Sequence, residues 1–386
     1  MAAEMTRHED RLVLMTADTV GGVWSHALEL AGGLGQRGVR VALATMGQPL
    51  TALQRRQVAR LPTVTVHESE YRLEWMATPW DDVRRAGQWL LRLEASLRPD
   101  VVHLNQFAFG ALPFTAPTLL VAHSCVMSWW RAVHGTAPPA AWDRYRQAVI
   151  AGLAGATRVG APTQAMLASL TNNYAYAGRG VVLPNARSGD AYAPGTKEPL
   201  ILSAGRLWDA AKNLAALEAV APSLPWPVVV AGATAQPTGG VRQTRSVRAL
   251  GELCPEGLAA EYARASIYAL PARYEPFGQT PLEAALSGCA LVLGDLPSLR
   301  EIWGGAALYV PPDDTDALRA CLMRLIDDPA LRRRCAAKAL ARAQRFTPER
   351  MVKAYLAAYD GIVAPRVPAP ARAATIGLQP ETVCAS

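Results

Sequence analysis

No stretch of this chain is long and apolar enough to be expected to span a membrane. The most apolar window, residues 215–235, is interrupted by Glu218, Pro222, Pro225 and Pro227, whereas a spanning helix needs roughly 20 predominantly apolar residues. The first residues, MAAEMTRHEDR, contain no apolar signal core. Cysteine is sparse: there are six in 386 residues, none in a Cys-x-x-Cys pair, and Cys289 and Cys321 sit in apolar patterns. This argues against a disulfide framework and implies reduced thiols in a cytoplasmic setting. Charged residues make up only 18% and hydrophobic residues 51%, which excludes a disordered chain and supports a large core. The net charge of +7 is arginine-rich and scattered. With no aromatic residues interleaved it does not describe a nucleic-acid surface. It suits nucleotides, or peripheral contact with the anionic inner face of a membrane.

What is present is a repeated alternation of apolar runs and helical periods, over a length comfortable for two domains. A strand at 11–16, a turn at 17–23 carrying Gly21 and Gly22, a helix at 24–36 and a strand at 39–45 make a βαβ unit of a parallel sheet. The turn does not follow G-x-G-x-x-G and no acid ends the second strand, so a nicotinamide site is disfavoured. Strands are expected at 64–67, 100–105, 118–122, 156–160 and 180–184, with helices at 79–97 and 163–170. In open α/β sheets ligands bind beyond the carboxyl ends of the strands. Asn105 and His123 therefore lie at the rim of the expected cleft, while His103, inside its strand, reads as a packed imidazole. Residues 125–142 carry Trp129, Trp130 and Trp142, whose faces suit sugar rings or apolar acceptors, or pack on their own domain. On the 79–97 helix Arg84, Gln88 and Arg92 share one face. A solvated outer surface explains that pattern, with membrane contact as the alternative. Residues 188–199 read as a linker.

A second α/β domain opens with a strand at 200–203, followed by Gly205-Arg206 and Lys212-Asn213. Strands at 228–231 and 247–250 and a helix at 252–265 come next. The chain is organised around 271–292, PARYEPFGQTPLEAALSGCALV. It follows a strand at 266–270 and carries Glu275, Phe277, Gly278 and Gln279 ahead of a helix. Thr280 is the expected N-cap, Pro281 the first helical residue and Glu283 the partner that closes a capping box. A helix start with free amides is an anion site. Gly278 lets a phosphate approach the backbone, and Gln279 and Thr280 add donors. Glu275 and Glu283 would repel that anion, yet both suit hydroxyls on either side of a diphosphate. Segments 298–303 and 306–311 are expected to complete the second sheet. Asp314-Thr-Asp316 reads as a helix start and not a metal pair. Helices are expected at 313–327, 329–345 and 348–363, and the Ala- and Pro-rich 364–386 reads as a disordered tail.

The Glu275–Glu283 spacing around Pro-Phe-Gly-Gln-Thr-Pro resembles the Glu-x7-Glu signature of retaining glycosyltransferases of the GT-B fold, in particular family 4. The resemblance runs roughly from Leu12 to Ile362. It implies two doubly wound Rossmann-like domains facing across a cleft. Residues 1–188 would form the acceptor side and 189–346 the nucleotide-sugar side, with 347–363 as a crossover helix returning to the first domain. It implies Glu275 beside the donor sugar, Glu283 on the ribose, Arg206 and Lys212 clamping the diphosphate, and Gly21-Gly22 across the cleft. It also implies that His123 contacts the donor sugar or acceptor; Asn105, Trp129 and Trp130 are the acceptor-side candidates. The segment LPNARSGD resembles the family's Pro-Asn-Gly-Val-Asp junction, but with Ala186 for Gly and Arg187-Ser188 for the last two, so no donor role is carried over to it. The implied activity is transfer of a glycosyl group, with retention, from a nucleotide-diphosphate sugar to a hydroxyl of a sugar, lipid-linked or small-molecule acceptor. No metal or cofactor is implied, and the setting is cell-surface polysaccharide or glycoconjugate synthesis. The alternatives are a nucleotide-sugar 2-epimerase of the same architecture and a non-catalytic nucleotide-sugar-binding subunit.

Overall fold

The computed structural model describes residues 10–234 and 243–363. The expected tail at 364–386 and most of the 233–246 loop lie outside these residues. The first half runs β1 (Leu12–Asp18), α1 (Gly22–Gly35), β2 (Arg40–Met46), α2 (Ala52–Ala59), β3 (Val64–Glu68), α3 (Trp80–Leu97), β4 (Val101–Leu104), β5 (Thr118–Val121), α4 (Val126–His134), α5 (Asp143–Gly155), β6 (Arg158–Ala161), α6 (Gln164–Tyr174) and β7 (Val181–Val182). The second runs β8 (Glu198–Ala204), α7 (Leu214–Val220), β9 (Val228–Ala231), β10 (Arg248–Ala249), α8 (Pro255–Arg264), β11 (Ala265–Leu270), α9 (Gln279–Leu286), β12 (Ala290–Gly294), α10 (Pro297–Trp303), β13 (Leu308–Val310), α11 (Thr315–Asp327), α12 (Pro329–Ala343) and α13 (Pro348–Asp360).

The strands form two parallel sheets, ordered β3-β2-β1-β4-β5-β6-β7 and β10-β9-β8-β11-β12-β13. Helices cover both faces of each sheet, so central strands such as β5 and β11 are buried along their whole length and read as continuous apolar runs. Strand order reverses between β1 and β4 in one sheet and between β8 and β11 in the other. The crevices at those reversals are where such folds bind ligands. This is the GT-B arrangement.

The last helix, α13, packs on the first domain. Met351, Val352, Tyr355, Leu356 and Tyr359 share a core with Ala27, Leu30, Ala31 and Leu34 of α1, and Arg11 pairs with Asp360 at 2.9 Å. The contact requires a glycine: a Cβ at Gly33 would stand 2.4 Å from Val352 Cγ2.

Two expectations are corrected. Residues 298–303 are not a strand but lie in α10, and the strand beside β11 is β12. Pro297 occupies the first turn of α10, and Leu299, Ile302 and Trp303 are buried at a helical spacing, not an alternating one. Thr280 is not the cap of α9. The cap is Gly278, at φ 93°, and it makes no side-chain cap bond. Asp314 does cap α11, accepting from the Ala317 amide at 2.8 Å. On α3 the basic face is partly offset within the helix, where Arg84 reaches Asp81 and Arg85 pairs with Asp82. Among the described residues no helix is long and apolar enough to cross a membrane.

Gly33→Ala is expected to destabilise the protein by about 1–3 kcal/mol through overpacking. Combined with Val352→Ala it should cost less than the sum of the two single changes in urea unfolding. Additive costs would mean that the two residues do not meet.

Candidate functional site

The carboxyl ends of β1 and β4 face those of β8 and β11. Gly21 and Gly22 follow β1, and both are backbone close to the other domain. A Cβ on Gly21, whose φ is 98°, would lie 3.3 Å from Arg206 Nη1, and one on Gly22 would lie 3.9 Å from Gln279 Oε1. Further contacts bridge the cleft. Trp129 Nε1 donates to Asp209 at 2.8 Å, the Cys125 amide to the Tyr274 hydroxyl at 3.1 Å, and Thr163 Oγ to the Pro276 carbonyl at 3.0 Å. Glu301 of α10 accepts the Gln164 and Ala165 amides at 2.7 and 3.0 Å, capping α6 from the opposite domain.

Within the second domain the loop after β11 folds onto its own acid. Glu275 accepts the Phe277 and Gly278 amides at 3.2 and 2.8 Å through one oxygen, and Lys212 Nζ at 2.6 Å through the other. Burial pushes the Glu275 carboxyl up, but Lys212 and the two amides outweigh it and hold it below the ordinary range. The Gly278 amide is therefore already bonded and is not among the free amides of this helix start. The Gln279 and Thr280 amides lie ahead of the first helical bond, Leu282 to Gly278 at 3.1 Å, and remain the donors at the helix start. Thr280 Oγ lies 2.7 Å from the Tyr268 hydroxyl. Arg206 pairs with Asp209 at 2.8 Å, with its side chain 40% exposed to the cleft. Asp209 also accepts the Ala211 amide at 3.0 Å, so one carboxylate ties Arg206 and Trp129 to the backbone just before Lys212.

Glu283 does not close a capping box. It is buried, with Oε1 accepting from Arg187 Nε at 2.7 Å and Oε2 from the Tyr262 hydroxyl at 3.1 Å. Arg187 also donates to Gln279 Oε1 at 2.6 Å and approaches the Ser25 carbonyl and Glu29 of α1 at 3.5 and 3.7 Å. Sequence reasoning left Arg187 without a role. Its departure from the expected junction, a charged residue beside the buried Leu183 and Ala186, was the signal that it needed a buried acid.

In the first domain His123 follows β5, and its Nε2 lies 2.8 Å from Asn105 Oδ1. Burial lowers its pKa to about 4, so the ring is neutral. Its neighbour His26, with ring centroid 4.6 Å away, lies 3.1 Å from the Tyr355 hydroxyl of α13. Trp130 lies tilted against His134, ring centroids 4.2 Å apart, and among the described residues its Nε1 makes no hydrogen bond like that of Trp129. Asp18, ending β1, was not singled out from sequence. It is buried with Oδ1 unpaired. Burial raises its pKa to about 7, with Arg206 opposing and Glu74 adding to the shift.

Comparison with known proteins agrees with this architecture. A family model described as Glycosyltransferase Family 4 matches residues 20–187, and one described as Glycosyl transferases group 1 matches residues 198–328. Two Rossmann-like domains in this arrangement form the GT-B scaffold, and the two family models, each matching one half of the chain, together support a glycosyltransferase of the family 4 type. The O-antigen chain mannosyltransferase B of Escherichia coli is 34% identical over 113 residues, 29% of this chain and 30% of that protein. The match thus spans about a third of that relative. Sucrose-phosphate synthase from Thermosynechococcus elongatus superposes with a TM-score of 0.76 at 18% identity, over 91% of this chain and 99% of that one. Anabaena HepE, solved in complex with UDP-glucose, does so with a TM-score of 0.71 at 16% identity, over 91% and 99%.

Removing the cation beside Glu283 leaves a buried charge without its partner. Arg187→Met is expected to lose about 3–5 kcal/mol in urea unfolding, and part of that should return when Glu283→Gln is added. An Arg187→Met variant as stable as the parent would show that the pair has no structural role. Asp18 gives a pH signature. Its folded pKa of about 7 lies above the ordinary 3.8, so the folded state binds more protons and stability falls as pH rises between those values. Asp18→Asn removes this slope, and its stability should gain on the parent's as pH rises from about 4 to about 7. Parallel stability–pH curves would exclude the shift.

Proposed function

We propose that this protein transfers a hexosyl group from a nucleotide-diphosphate sugar to an acceptor hydroxyl with retention of anomeric configuration. One observation carries the reading. Lys212, Glu275 and the loop into α9 form one bonded cluster, bordered by Arg206, opposite the side-chain-free backbone of Gly21-Gly22. A diphosphate seated there meets the Gln279 and Thr280 amides and two cations, while Phe277, expected from sequence at the donor, is instead buried against Phe346 and supports the loop from beneath. Those cations act most strongly as the departing diphosphate gains charge, which is where stabilisation raises the rate. Glu275 holds hydroxyls of the donor sugar and His123 meets the sugar from the first domain. Glu283, with lone pairs remaining beyond its two bonds, serves the ribose diol. HepE's complex with UDP-glucose on the same fold supports a nucleotide-sugar donor, and the mannosyltransferase relative supports a hexose and a role in polysaccharide synthesis.

In the step itself the bond from the anomeric carbon to the phosphate oxygen breaks, and the acceptor oxygen bonds to the same face. The acceptor's proton passes to the leaving phosphate. The contacts bridging the cleft hold the domains together and exclude water, which would otherwise hydrolyse the donor.

The test is a panel of nucleotide-sugars screened for a rise in melting temperature, followed by assay of nucleoside diphosphate release. Release only in the presence of an acceptor is expected of a transferase; epimerisation without release would identify the isomerase reading. Lys212→Ala is expected to lower kcat by about 10²–10³-fold, the scale seen when one charge-stabilising group is removed. A variant with unchanged kcat would remove Lys212 from the site, and binding of a donor that no acceptor turns over would favour a non-catalytic subunit.

A further inference from the structure

Asn105 stands at the end of β4, and its surroundings determine which way its amide points. Its Nδ2 lies 2.5 Å from the Thr16 carbonyl of β1, and its backbone N–H donates to Thr16 Oγ at 2.9 Å. A carbonyl oxygen only accepts, so the amide nitrogen must be the end that faces Thr16. The amide oxygen is then the end that faces His123, 2.8 Å from Nε2. That oxygen also only accepts, so Nε2 carries a hydrogen. A neutral imidazole has a single N–H, which leaves Nδ1 as a bare lone pair. His123 Nδ1 has no hydrogen-bond partner among the described residues, and it is not sealed in the protein as His26 Nδ1 is. The ring is half-buried at the carboxyl end of β5, on the cleft side.

We infer that Asn105 is a positioning residue: anchored on Thr16, it locks His123 in the Nε2–H tautomer, so that Nδ1 accepts a hydrogen bond from a hydroxyl of the carbohydrate in the cleft. The identity of that partner rests on the glycosyltransferase reading, whereas the tautomer does not. The inference moves Asn105 from the acceptor side, where the sequence placed it, to a role exercised through His123. The groups around the imidazole fit this polarity. His26 from α1 and His103 from β4 are both kept neutral by burial. Asn105 itself is uncharged, so among these neighbours no carboxylate supports a second proton on the ring. The site is thus built to receive an O–H and not to donate to a sugar oxygen.

The experiment is long-range 1H–15N correlation spectroscopy on the full-length protein with 15N-labelled histidine, the His123 signals being assigned by their loss in His123→Gln. The parent is expected to show the Nε2–H pattern for His123. Asn105→Ala should convert it to a mixture of tautomers and lower kcat roughly 10²-fold, with the donor-induced rise in melting temperature and the acceptor KM retained. Asn105→Asp should raise the His123 pKa through its negative charge and move the acid limb of kcat/KM to higher pH. A parent with the proton on Nδ1 overturns the inference. So does an Asn105→Ala protein that keeps the pure Nε2–H form while its acceptor KM rises, because Asn105 would then touch the acceptor directly. A confirmed tautomer in a protein that turns over no nucleotide-sugar would sink the transferase reading and leave the lock intact.

Discussion

The structure depends on a buried guanidinium. Arg187 leaves the first domain just after β7, and its amide donates to the Phe346 carbonyl at 3.2 Å, near the start of the crossover segment. Its side chain then reaches α9 through Glu283 and Gln279 and α1 through Ser25 and Glu29. Both members of the central pair are nearly sealed, with side chains 9% and 6% exposed. Desolvating two charges is expensive, and only good geometry with added hydrogen bonds offsets it. Tyr262 and Gln279 supply those bonds. The result is a tie between α1, α9 and the crossover segment at the point where the chain passes from one domain to the other, beside the cleft in which Gly21 meets Arg206.

Around the cleft the charges come in matched sets: Arg206 with Asp209, Lys212 with Glu275, Arg187 with Glu283. Each acid is in turn held by a fixed donor, whether the Ala211 amide, the Gly278 amide or the Tyr262 hydroxyl. Such dipoles and cations need little rearrangement when a ligand's charge changes, which is the condition under which electrostatics contribute most to rate. The loop after β11 shows how little sequence this takes. One carboxylate, two amides and a glycine at positive φ suffice to fold it back on itself.

Much of this was legible in the residues. Apolar runs ending in Gly-Arg, in Pro-Ala-Arg or at His123 marked strand ends correctly, because a strand buried on both faces has no polar alternation to confuse it. The α10 error has the same root. SLREIW is short and half apolar, and periodicity cannot separate a buried strand from a helix over six residues; Pro297 was the deciding cue. Residues 125–142 gave no reading because α4 is capped by a cysteine thiol, Cys125 accepting the Ser128 amide at 3.3 Å, and cysteine is not among the usual N-caps. Glu283 fits a capping box by spacing alone. Its actual partners, Arg187 and Tyr262, lie 96 and 21 residues away in the chain, and no local pattern reports a contact of that kind. Asn105 was placed at the cleft edge, but the orientation of its amide was not legible, because it depends on Thr16 of the neighbouring strand β1 and on His123.

One detail of the cleft bears on how it opens. The amino end of α6 has no acid of its own in its first turn, and it borrows Glu301 from the far side. Separating the lobes would strip a positive helix pole of its counter-ion and expose two amides to solvent in the same movement. Water can replace those bonds but not the fixed charge, so the resting balance tilts towards shut, and raised ionic strength, by screening that attraction, would loosen the molecule along this one hinge coordinate.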